Sequence, residues 1–163
     1  MRKILTLISL MVLCGIVFHA CQEAPRESYE TEWLGETKQE IVNNIEEQFQ
    51  GFSRTMVEVS YRYAELYWSG IDENWEYAEY QREHIDEAME QGFMRRPERE
   101  ASSQQFISAA LPEIEEVIQT GDKEKFLESF TRLTASCNTC HAMEEVAFMT
   151  VKIPEQRYSV IHF

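Results

Sequence analysis

Five consecutive residues near the C-terminal end of the chain, Cys137, Asn138, Thr139, Cys140 and His141, set two thiols and an imidazole at positions i, i+3 and i+4. On a helix these positions share one face, so both sulfurs and the ring address a single object. C-x-x-C-H is the attachment sequence of c-type haem: the thiols form thioethers with two vinyl groups, and the histidine binds iron from the proximal side. A proximal histidine also needs a carbonyl or carboxylate on its other ring nitrogen to fix its orientation. One covalent haem c, held by Cys137 and Cys140 with His141 on the iron, is the expected cofactor.

Other uses of these residues fit less well. A structural zinc site takes four ligands, and outside the N-terminal segment the only nitrogen and sulfur donors are Cys137, Cys140, His141, His84 and His162. A thioredoxin-like dithiol belongs near a βαβ pattern, which is lacking here. A di-iron bundle uses Glu-x-x-His on two helices, whereas His84 has Gln81 three residues before it and no second copy exists. Two cysteines three apart could close a small disulfide in an oxidising compartment, yet His141 follows them at once.

The elements that must position this motif read as helices. Hydrophobic residues are 44% of the chain and Gly and Pro number only six and four, which disfavours a turn-rich β fold. A first helix is expected from about Glu36 to Ser69, with Ile45, Phe49, Phe52, Met56, Val59, Tyr63 and Leu66 spaced by fours and threes. Gly70 to Asn74 breaks the pattern, and Trp75, Ala78, Ile85 and Met89 mark a second helix ending near Gly92. The third spans about Glu98 to Thr120, with Phe106, Ala110, Ile114, Val117 and Ile118 inward and Pro112 kinking or dividing it. Gly121 closes it, Asp122 caps a fourth, and Phe126, Phe130, Leu133, Cys137 and Cys140 carry the stripe into the motif. Short connections between four amphipathic helices predict an all-α, antiparallel, up-down-up-down four-helix bundle. Its expected extent is 34–147, followed by an extended or frayed tail over 148–163.

The N-terminus reads as an export signal. Arg2 and Lys3 precede an apolar run from Ile4 to Phe18, shorter than the roughly 20 residues that cross a bilayer. Ala20-Cys21 then resembles the cleavage box of bacterial lipoproteins, so 1–20 is the expected signal peptide and Cys21 the acylated first mature residue. Ordinary cleavage after Ala20 is the alternative, because Phe18 and His19 depart from that box. Residues 21–33 form the anchor and tether. Removing Arg2 and Lys3 takes the net charge from −14 to −16. Such a surface repels nucleic acid and steers basic partners at low salt, although keeping a small exported protein soluble is the simpler use of the charge.

A C-x-x-C-H near the end of a four-helix bundle resembles the class II c-type cytochromes, the cytochrome c′ group, in which haem lies between helices and attaches to the last. The chain also resembles a family of small exported bacterial mono-haem proteins, through Glu65 to Gly70 with Asn74-Trp75 and Ala78, through Phe130 to His141, and through Phe148 to Pro154. The likeness covers roughly Trp33 to Pro154, and only the haem motif within it is specific. The cytochrome c′ group implies either an empty distal iron side or a Met from the first helix, for which Met56 is the candidate; a Met in a bundle more commonly just fills the core. In the exported family a His often stands where this chain has Tyr63, so a bis-His site through that position is closed. Met143, Met149 and His84 are poorer candidates, the second needing the tail to fold over the distal face.

No acid–base pair or nucleophile stands out, so an electron carrier rather than an enzyme is expected. The anticipated location is the periplasmic side of a bacterial cell envelope, anchored by lipid, with exported redox proteins as partners, no nucleic acid, and homodimerisation left open. The rival readings are a sensor or scavenger of nitric oxide or carbon monoxide at an open iron position, and a haem-bearing accessory subunit of an oxidoreductase.

Overall fold

The structure is a computed structural model that describes residues 32–158 and residue 161. The expected signal peptide, the Cys21 anchor, most of the tether and His162 lie outside the described residues. The chain divides into two compact units, 1–46 and 47–163.

Within the first unit, a 3-10 turn over Glu32–Leu34 precedes α1, Lys38–Phe49, which runs across the unit boundary. Glu40 accepts from the Glu36 and Thr37 backbone N–H groups at 3.0 and 2.9 Å, while the Thr37 hydroxyl accepts from the Glu40 N–H at 3.2 Å. This reciprocal box satisfies donors that a helix start leaves unpaired. The same bonds hold the Glu40 carboxyl below its ordinary range.

The expected first helix is divided. It stops at Phe49, Gln50 takes the left-handed conformation at φ 59, and α2 begins again at Phe52–Ile71. Gly51, a poor helix former, sits at the break. Ile45 and Phe49, assigned to the inner stripe by their spacing, are exposed. Gly70 does not end the helix either. It lies inside α2, where an added Cβ would overlap the Phe126 ring, so its missing side chain lets two helices approach closely.

α3 covers Trp75–Arg95, starting where the Asn74 side chain accepts from the Tyr77 N–H at 3.1 Å and continuing one turn past the expected end. After a 3-10 turn at Pro97–Arg99 come α4, Glu100–Gln105, a π-helical turn over Phe106–Ala110, and α5, Leu111–Thr120. In the wide turn the Leu111 N–H reaches back five residues to the Phe106 carbonyl. This is how the chain accommodates Pro112, which lacks an N–H and crowds the carbonyl four residues before it. Leu111, three residues before Ile114 and left out of the expected stripe, is buried at 2% exposure. Gly121, at φ 65, closes α5, and the Asp122 side chain accepts from the Lys125 N–H at 3.1 Å to open α6, Lys123–Met143.

α2 packs along α3, α3 on α5, α5 on α6 and α6 on α2. The described residues are therefore all-helical apart from loops and the C-terminal segment and contain no strand, and the helices of the second unit close around one core in a way compatible with a helical bundle. Leu66, Ile85, Ile114, Phe126, Phe130 and Leu133 are wholly shielded from solvent. Each such side chain stabilises the fold by about 1.5–3 kcal/mol relative to exposure. Rings of Tyr63, Tyr67 and Phe126 surround Phe130 at 4.7, 5.0 and 5.8 Å. No helix among the described residues is long and apolar enough to cross a membrane.

Candidate functional site

Phe126, Phe130 and Leu133 fasten the front of α6 into the core, and the same stripe continues into half-buried Cys137, Cys140 and His141 one to two turns later. Both cysteines are free thiols. Burial, with the neighbouring Cys140 second, pushes the Cys137 thiol from 9.0 up to about 12. Reactive dithiols depend on a lowered thiol pKa, and Cys137 is shifted the other way. Cys140 Sγ lies 3.6 Å from the hydroxyl of buried Ser103 on α4.

Three hollows of about 370, 290 and 30 Å³ meet at this face. All three are bordered by Met56 and His141; Cys137 borders the second and third, and Cys140 the third. Val59, Ile85 and Phe106 supply apolar walls. The 370 Å³ hollow has a charged side with Arg96, Arg99 and Glu144, where Arg99 and Glu144 form an ion pair and Ser102 also donates to Glu144. A separate hollow of about 450 Å³, bordered by Arg54, Glu58, His84, Glu87 and Arg95, is larger, but no thiol borders it.

The chain reverses after α6 and comes back across the motif. Glu145 takes the left-handed conformation at φ 61, the Val146 N–H donates to the His141 carbonyl at 2.8 Å, and the Met149 N–H to the Val146 carbonyl at 2.8 Å. The Met149 carbonyl then lies 2.6 Å from His141 Nδ1. With Nδ1 donating there, Nε2 is the ring nitrogen left to bind a metal. Two residues on, Val151 is gripped by Asn138: its N–H donates to Asn138 Oδ1 at 2.8 Å, and its carbonyl accepts from Asn138 Nδ2 at 2.9 Å. The Tyr63 hydroxyl bonds Thr134 Oγ1 at 2.7 Å and donates to the Lys152 carbonyl at 3.2 Å. Arg157 pairs with Asp72 at 2.6 Å and covers the Trp68 ring at 5.0 Å.

The structure thus brings Cys137, Cys140, His141 and Met56 together. Met149 joins them through its carbonyl and by bordering two of the hollows. Met143, at the end of α6, is 60% exposed and does not border them. His84 is engaged elsewhere, with Nδ1 2.8 Å from the Tyr80 carbonyl and its ring against Tyr80 at 4.0 Å. Among the described residues no group of three or more His, Cys, Asp or Glu is arranged to hold a metal ion, and His162, one of the donors counted for zinc, lies outside them. Asn138, Ser103 and the Met149 carbonyl were not singled out from sequence. Asn138 occupies one of the unspecified positions of the motif, and a backbone acceptor has no residue type to betray it.

The donor set fits a c-type haem: two thiols and an imidazole with a free Nε2 on one face, apolar walls beside them, and guanidinium groups at one side. The chain matches no family model, no curated protein and no solved structure.

Proposed function

We propose that this protein is an exported mono-haem c-type cytochrome that transfers electrons, built as an antiparallel up-down-up-down bundle with haem c on the last helix. Cys137 and Cys140 would hold the group as thioethers and His141 Nε2 would bind its iron; Arg96 and Arg99 would offer donors to its carboxylates. When bound, the group supplies a one-electron iron couple. The observation that carries the reading is the orientation of His141, whose Nδ1 is engaged by the Met149 carbonyl beside two free thiols at an apolar hollow.

The residues around the site have definite tasks. The Nδ1 hydrogen bond fixes the ring and makes it a more basic ligand. Val59, Ile85 and Phe106 keep water from the iron side and lower the local dielectric. Met56 borders the same space and is the candidate sixth ligand. Export through a signal peptide and acylation at Cys21 complete the proposal and place the protein on the periplasmic side of the envelope.

Protein made in cells equipped for cytochrome maturation is expected to be coloured, with an intact mass one haem above that of the processed chain. The Cys137→Ala, Cys140→Ala double variant is expected to be colourless at bare mass; a colourless wild type sinks the proposal. A low-spin reduced spectrum unmoved by carbon monoxide supports electron transfer. A high-spin spectrum that shifts with the gas overturns that part in favour of gas binding.

A further inference from the structure

The C-terminal segment from Val146 to Arg157 lies over the motif as a strap, and its attachments have unequal consequences. Tyr63 and Arg157 hold it to α2 and to the loop after α2. Besides the His141 ring itself, Asn138 ties it to the motif's own helical turn through side-chain bonds, and does so with both ends of its amide. Its Nδ2 also donates to the Thr134 carbonyl one turn back at 3.1 Å, which fixes the amide plane from the helix side. The gripped residue, Val151, is two positions beyond Met149, whose carbonyl meets His141 Nδ1. Within a single turn of α6, the Asn138 side chain therefore sets where the strap lies and His141 receives the acceptor that the strap delivers.

We propose that Asn138 is a positioning residue that tunes the iron ligand through the strap: by holding Val151 it fixes the Met149 carbonyl on His141 Nδ1. The proposal rests on His141 being the haem ligand. A carbonyl held on Nδ1 draws the ring toward imidazolate character, strengthens its donation to iron and favours the oxidised state. A strap set loose lets the acceptor drift, the ligand weaken and the reduced state gain.

The test uses mature holoprotein. Asn138→Ala removes both bonds from the helix side. Val151→Pro removes from the strap side the N–H that Asn138 accepts, and it leaves the C-x-x-C-H segment intact. Both variants are expected to carry one haem by mass, to show a changed resonance frequency for the His141 ring protons in the paramagnetically shifted ferric NMR spectrum, and to have a reduction potential shifted upward. Asn138→Asp, which keeps the acceptor and loses the donor, is expected to show a shift as well. A merely structural clamp would loosen the strap to protease and leave frequency and potential at wild-type values; that result in Asn138→Ala overturns the proposal. If Asn138→Ala does not accumulate, Val151→Pro decides by the same criterion. A wild-type protein without haem overturns the functional reading itself, and the proposal with it, so the two failures are told apart by the wild-type mass.

Discussion

Tyr63 shows how much one position on α2 contributes. Its ring rests on Phe130, its hydroxyl joins Thr134 to the strap carbonyl of Lys152, and only 7% of the residue meets solvent. Burial pushes its phenol from 10.0 up to about 12. The folded pKa is the raised one, so the stability this group lends is complete below pH 10 and is lost as pH climbs from 10 through about 12. Each unit of that shift corresponds to about 1.4 kcal/mol. Urea melts of holoprotein between pH 8 and 12 are expected to show a midpoint that falls above pH 10. Tyr63→Phe is expected to lose about 1 kcal/mol at neutral pH through the missing hydrogen bonds and to show a shallower alkaline decline. An unchanged alkaline slope in that variant would remove Tyr63 as its source.

At the scale of elements, the contact between α2 and α6 depends on the absence of a side chain. Phe126 is fully buried where Gly70 comes closest, and neither the ring nor the helix backbone has room to yield. Gly70→Ala gains a little helix propensity and loses more to overpacking, so a net destabilisation of about 1–3 kcal/mol is expected from denaturant unfolding. The same substitution at Gly51, where nothing lies within 4 Å of an added Cβ, is expected to be neutral or slightly stabilising. The pair separates a packing glycine from a glycine at a helix break. The π-helical turn acts at the same scale: it precedes Pro112, and both Phe106 and Leu111 are buried, Phe106 bordering two of the hollows beside the C-x-x-C-H motif.

For the whole molecule, the strap and the charge each have a measurable consequence. Arg157 closes the far end of the strap through an ion pair in which both side chains are largely shielded, 16% and 21% exposed, and it covers Trp68. Arg157→Ala is expected to speed proteolytic cleavage of the C-terminal segment at least several-fold under native conditions, with the bundle intact, since local opening needs little apolar exposure. If haem c is attached as proposed, the processed chain, with a formal charge of −16, is expected to exchange electrons faster with a cationic reagent such as hexaammineruthenium than with ferricyanide, and the gap should narrow as salt is raised. Equal salt responses for the two reagents would show that the charge does not steer encounter at the proposed haem.

The sequence by itself determined the helical nature of the described residues, the buried stripe of α6 and the candidate attachment triad. These follow from local rules: spacing by threes and fours puts Phe126, Phe130, Leu133, Cys137 and Cys140 on one face, and Asp122 after Gly121 marks where that helix starts. Only the tertiary structure decided that Gly70 must lack a side chain, since that depends on the Phe126 ring packed against it across the core. The same holds for the break at Gln50, where the apolar stripe is continuous but the helix is not. The partner of His141 was foreseen as a chemical need, but its identity was not. It is a backbone carbonyl eight residues away, delivered by a strap whose position is set by an asparagine, and residue spacing carries no information about a chain reversal of that kind.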